Sequence, residues 1–174
     1  MIILIAGASH TGKTALAQKL LEKYHYPYMS IDHIKMGLIR SGQTELTPCS
    51  DDGALTDYLW PIVREMVKTA IENNQNLIVE GCYIPIGWRR DIDQRYQDHI
   101  KFICLAMSEE YIEDHFDAII VHESEVENRL IKADCTADDL KQCNRWFIDS
   151  FSSVGEKVVI IEDDFDKTLA KLLD

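Results

Sequence analysis

The chain has little of what marks a linker or a fibrous protein: 8 glycines and 4 prolines in 174 residues, with no repeat or low-complexity tract. Apolar residues make up 46% and charged residues 28%, a balance that excludes a disordered chain. Basic residues are scarce. The 18 Lys and Arg stand against 30 Asp and Glu, a formal charge of −12 and the wrong sign for gripping nucleic-acid backbones. The five cysteines (Cys49, Cys82, Cys104, Cys135, Cys143) are odd in number and never spaced C-x-x-C, so they give neither a disulfide framework nor a zinc ribbon. No H-E-x-x-H occurs among the six histidines. Long hydrophobic runs are missing as well: Ile2 to Ala6 is too short for a signal h-region and lacks a basic flank. The expectation is a single cytoplasmic domain over residues 1–174, monomer or homodimer, with no membrane and no nucleic-acid partner.

What the chain does have is an alternation of strand and helix patterns. Apolar runs at Ile2–Ala6, Tyr28–Ile31, Leu77–Val79, Ile100–Ala106 and Val158–Ile161 read as strands. Between them, Ala17, Leu20, Leu21 and Tyr24 recur at helical spacing, as do Leu55 through Ile71, where Pro61 implies a kink or a helix start. Ser108-Glu109-Glu110 and Thr136-x-x-Asp139 read as helix caps, the second a capping box with Asp in place of Glu or Gln. Ser41 to Asp52 reads as a long polar loop. Five apolar strands separated by helices predict an α/β fold with a five-stranded parallel sheet covered on both faces, whose ligands bind at the carboxyl ends of the strands.

The first of those ends carries Gly7-Ala8-Ser9-His10-Thr11-Gly12-Lys13-Thr14, a match to G-x-x-x-x-G-K-[ST] with an apolar strand before it and an amphipathic helix after it. That placement lets backbone N–H groups surround an anion at a helix N-terminus. Gly7 and Gly12 allow the tight turn, Lys13 reaches the β- and γ-phosphate oxygens, and the Thr14 hydroxyl is offered to Mg²⁺. No N-K-x-D base-reading motif is present, and the third strand ends in Glu80-Gly81 rather than in an Asp-Glu pair, which argues against a guanine switch or a motor.

A phosphate loop at residue 7, Asp32 after the second strand, Glu80-Gly81 after the third and a late basic region resemble the small P-loop kinases of the adenylate, shikimate, gluconate and uridine kinase group. Asp32-His33-Ile34-Lys35-Met36-Gly37-Leu38-Ile39-Arg40 is similar to the D-x-I-R…R pattern of 2-phosphoglycerate kinase-like and zeta-toxin-like kinases, with Lys35 where those have Arg. The resemblance implies a three-layer P-loop NTPase fold with a helical lid at approximately 123–145, ATP and Mg²⁺ as cofactors, and phosphoryl transfer to a small molecule. It also implies that Glu80 lies near the metal or the acceptor, and that Arg129 and Arg145 close over the phosphates.

Asp32 is the candidate acceptor-side carboxylate, suited to orienting and deprotonating a hydroxyl, although the same residue could cap the following helix. Lys35, Arg40, Arg89 and Arg90 are candidate acceptor-binding cations. Adenylate kinases carry Asp-Gly-Phe-Pro-Arg after the third strand, whereas this chain reads Glu80-Gly81-Cys82-Tyr83-Ile84-Pro85. A hydroxyl acceptor is therefore expected. A nucleoside monophosphate kinase and a nucleotide-binding regulator or toxin-like module with little turnover remain the alternatives.

Overall fold

Alternate side chains of the opening strand enter two different cores, and that alternation creates the layers. The computed structural model describes residues 1–126 and 135–173. β1 (Ile2–Gly7) is buried along its whole length. Ile2, Leu4 and Ala6 join one apolar cluster with Leu59, Val63 and Phe151, while Ile3 and Ile5 join another with Leu16, Leu20 and Leu169. A strand buried on both faces must be apolar throughout, as this one is.

The remaining elements are α1 (Lys13–Tyr24), β2 (Tyr28–Ser30), α2 (Ile31–Arg40), α3 (Asp52–Glu72), β3 (Leu77–Glu80), α4 (Gln94–Gln97), β4 (Ile100–Met107), α5 (Glu109–Val126), α6 (Ala137–Ser153), β5 (Val158–Ile161) and α7 (Phe165–Leu173). The five strands form one parallel sheet in the order β2-β3-β1-β4-β5. Both predicted caps form: Ser108 Oγ accepts from Tyr111 N–H at 3.0 Å, and Thr136 and Asp139 bond reciprocally despite the shorter acid.

Several boundaries differ from the sequence reading. α3 runs unbroken through Pro61, which is exposed, so the backbone carbonyl that loses its donor can turn to water. It also begins earlier than Leu55, because the Asp51 carboxylate accepts from Ala54 N–H at 3.0 Å and caps it. β2 ends at Ser30 and α2 follows without a loop, which puts Asp32 in the first turn of α2 rather than at its cap. α7 has no counterpart in the sequence reading; Leu169 is buried at its centre and Asp164 Oδ1 caps it by accepting from Lys167 N–H at 2.9 Å. Of the lid expected at approximately 123–145, residues 127–134 and with them Arg129 lie outside the described residues, and the rest falls on the end of α5 and the first half of α6. Among the described residues no helix is long and apolar enough to cross a membrane.

Gly7 closes β1 at φ 148°, paired with Leu105 of β4, and a Cβ there would stand 2.3 Å from the Leu105 carbonyl oxygen. Backbone on both sides leaves no way to yield. Gly7→Ala is expected to lower unfolding free energy by about 2 kcal/mol or more, whereas Gly87→Ala, with nothing within 4 Å of its Cβ, should stay within about 0.5 kcal/mol of wild type. Urea denaturation midpoints read the difference.

Candidate active site

Three consecutive strand ends meet here because β1 lies between β3 and β4. The loop leaving β1 turns through His10 at φ 67° and Gly12 at φ 76°, and Gly12 is the N-cap of α1. Glycine is required at the cap twice over, by the left-handed backbone and because a Cβ would enter the Phe165 ring at 2.3 Å. The Ala8 carbonyl holds the loop together: Thr11 Oγ1 donates to it at 2.8 Å and Lys13 Nζ at 2.6 Å.

Each of the other helices of nine residues or more carries an acidic side chain in its first turn: Asp32, Asp52, Glu109 and Glu110, Asp138 and Asp139, Asp166. The first turn of α1 carries none and begins with Lys13. The positive end of its dipole is thus left without a built-in anion in a chain rich in acids.

Lys13 is 7% exposed. Burial alone would lower its pKa, but the Cys82 sulfur, Glu80 and Asp32 around it outweigh burial and hold the ammonium above its usual value. Glu80 ends β3, is 2% exposed, and stands opposite Ile5 of β1 and Ser30 of β2. Ser30 is 1% exposed, and its hydroxyl has no hydrogen-bond partner among the described residues. An unsatisfied buried hydroxyl at a strand end suits a site that takes a polar ligand or its water.

Asp32 and Lys35 share one side of α2 at i, i+3 and form an ion pair through Asp32 Oδ1. Lys35 Nζ also donates to the Tyr83 hydroxyl at 2.9 Å and lies over its ring, 4.9 Å from the centroid. Burial opposes the charge on Lys35, yet bonding to Asp32 and Tyr83 raises its pKa, while burial pushes the Tyr83 phenol up to about 12. Lys35, itself bonded to Tyr83, therefore holds one edge of the Asp32 carboxylate.

The structure brings Lys13, Asp32, Lys35 and Glu80 together and adds Cys82 and Tyr83, two residues that sequence reasoning missed. Their only signal was position, in the segment just past a strand end. Arg40, Arg89, Arg90 and Arg145 do not join this group. Arg40 is exposed at the far end of α2, and Arg90 is exposed on the short turn Trp88–Asp91. Arg89 pairs with Glu156, its Nη2 donating at 3.1 Å, and stacks on Trp88; Glu156 precedes β5, so this pair lies at the amino edge of the sheet, away from the loop. Its carboxylate partner there is the physical reason Arg89 is not at the acceptor side. Arg145 is at the carboxyl edge, but exposed and held by Glu109, with Nε donating at 2.8 Å.

Thr14, Asp32, Glu80 and Ser30 are all oxygen donors, the chemistry a hard divalent cation takes. Among the described residues no three His, Cys, Asp or Glu side chains gather as a metal site of their own.

No protein-family model matches the chain, and no curated protein matches its sequence. Solved structures do match it in fold. Shikimate kinase from Aquifex aeolicus aligns over 99% of this chain and 94% of its own at 11% identity, with a TM-score of 0.55. Shikimate kinase from Bacteroides thetaiotaomicron aligns over 99% and 96% at 14% identity, with a TM-score of 0.50. A sugar kinase from Janibacter sp. aligns over 99% and 91% at 14% identity, also with a TM-score of 0.50. At such identities the likeness is one of fold: the α/β architecture with an all-parallel five-stranded sheet is the architecture of these kinases.

Proposed function

We propose that the protein is an ATP- and Mg²⁺-dependent kinase that phosphorylates a hydroxyl of a small molecule. The observation that carries this reading is the buried Lys13 ammonium at the unneutralised N-terminus of α1, with the Asp32 carboxylate close enough to act on it electrostatically. The fold neighbours, two of them shikimate kinases and one a sugar kinase, support it. So does the similarity of Asp32 to Arg40 to the D-x-I-R…R pattern.

Bound ATP would supply the phosphoryl group, and Mg²⁺ the neutralisation of its oxygens. The chain's own contribution is position and charge. The N–H groups of Ala8 to Thr14 and the dipole of α1 would hold the phosphates, and Thr14 Oγ1 with Glu80 would hold the metal. Lys13 leaves the Ala8 carbonyl to meet the charge on the transferring group. Lys35 occupies Asp32 Oδ1, which leaves Oδ2 to orient the acceptor hydroxyl and take its proton. The Asp32 side chain is 29% exposed, open enough to be reached from the cleft. An ammonium-paired carboxylate is a weak base, but a loose phosphoryl-transfer transition state asks for orientation more than for basicity.

Two substitutions test this. Lys13→Met keeps the buried stem and removes the charge; turnover of ATP with an acceptor found by screening sugars, nucleosides, nucleotides and phosphorylated acids should fall about 10²–10³-fold. Wild-type turnover would overturn the assignment of the loop.

Asp32→Asn, nearly isosteric, should lower kcat about 10²–10⁴-fold with little change in the affinity for ATP. Near-native kcat in this variant, with a greater loss in Arg40→Ala, would mean that the acceptor is a phosphate, already ionised, and that the nucleotide kinase alternative holds.

A further inference from the structure

The ring that bars a side chain at Gly12 comes from the other end of the chain. Setting aside its chain neighbours, the three atoms nearest to where a Gly12 Cβ would stand are Cζ, Cε2 and Cε1 of Phe165, at 2.3, 2.5 and 3.6 Å. The tip of the ring therefore rests on the Gly12 backbone. Phe165 is half-buried and opens α7, just past the end of β5. It packs against two clusters at once, one with Leu16, Leu20 and Leu169 and the other with Met107, Tyr111 and Ile161.

The helix behind the ring is docked along the length of α1. The Asp164 carboxylate caps its first turn, accepting from Lys167 N–H at 2.9 Å. Leu169 is fully buried, Asp166 pairs with Lys19 at 3.4 Å, and the Leu173 carbonyl accepts from the Tyr24 hydroxyl at 2.6 Å. What the ring presses on is a soft part of the loop. His10 and Gly12 both take the left-handed conformation, at φ 67° and 76°, and a glycine has no side chain of its own to fix that turn. Thr11 and Lys13 on either side are tied to the Ala8 carbonyl, whereas the Gly12 carbonyl accepts from Leu16 N–H at 2.9 Å and closes the first turn of α1.

We propose that Phe165 is a positioning residue for the phosphate loop: its ring, fixed by α7, holds Gly12 in the left-handed turn from which the loop N–H groups and Lys13 face an anion. The functional half of this proposal rests on the loop being a nucleotide site. A site made of backbone N–H groups gains affinity from being held in shape beforehand, because a loose loop must be ordered as the ligand binds. Phe165 acts through Gly12 and needs no contact with the ligand to do so.

The test compares wild type, Phe165→Leu and Leu169→Ala in the full chain. Hydrogen exchange read by NMR follows the Leu16 N–H, whose acceptor is the Gly12 carbonyl. Calorimetry measures binding of inorganic tripolyphosphate with Mg²⁺, a probe with no base or sugar for the ring to touch. In Phe165→Leu the Leu16 N–H should exchange at least about tenfold faster relative to amides in the middle of α1, and tripolyphosphate should bind about three- to tenfold more weakly. Leu169→Ala, which opens a cavity in the same helix, should lower the urea midpoint at least as far without the selective rise at Leu16 and without the loss of affinity. Wild-type Leu16 exchange in Phe165→Leu overturns the proposal, and so does wild-type tripolyphosphate affinity in that variant. The same local rise in Leu169→Ala also overturns it, since the ring would then be no more than part of the α7 packing. If wild type binds neither tripolyphosphate nor ATP, the nucleotide reading fails instead, and Leu16 exchange still decides whether the ring holds Gly12.

Discussion

A cation buried at the positive end of a helix dipole is the constraint around which the rest of the site is arranged. Lys13 is removed from water and sits where the field of α1 already disfavours positive charge. Its own loop answers with one carbonyl, that of Ala8. The remaining compensation comes from Glu80, Cys82 and Asp32. Strand order makes this possible. With β3 hydrogen-bonded to β1, the register that pairs Ile5 with Glu80 delivers a carboxylate beside the loop, and β2 outside β3 carries Asp32 in behind it.

The same balance leaves one site free of built-in acid in a chain of net charge −12. Acids occupy the first turns of the other long helices, where each is stabilising, and are kept out of the first turn of α1. The carboxylates that do approach Lys13 are themselves engaged: Asp32 by Lys35, and Glu80 by the ammonium it faces. Local field, not total charge, decides what the cleft can take.

The parts of this arrangement set by local chemistry were legible in the sequence. A run of five apolar residues before a glycine has few options other than a doubly buried strand, and the 7–14 spacing defines its loop by the residue types alone. The Thr136 and Asp139 cap was likewise readable, because it joins neighbours three apart. What could not be read were pairings between distant segments. Arg89 looked like an acceptor ligand until the fold set Glu156 beside it, 67 residues away. Tyr83 and Cys82 gained meaning only when β3 was placed next to α2 and α1. A tyrosine is ordinary core in a sequence; 2.9 Å from a lysine that grips a carboxylate, it becomes part of how that carboxylate is aimed.

The state of the loop itself follows from an old rule about buried polar groups: they are bonded to something. Thr11 Oγ1 and the Lys13 ammonium both donate to the Ala8 carbonyl, and the Cys82 sulfur favours the charge on that ammonium. One neutral carbonyl shared by two donors, with a weakly accepting sulfur nearby, is a weaker hold than a charged oxygen would offer. A loop closed by strong acceptors would resist an anion, and one with no partners would not stay folded. The shared Ala8 carbonyl and the nearby Cys82 sulfur lie between those limits.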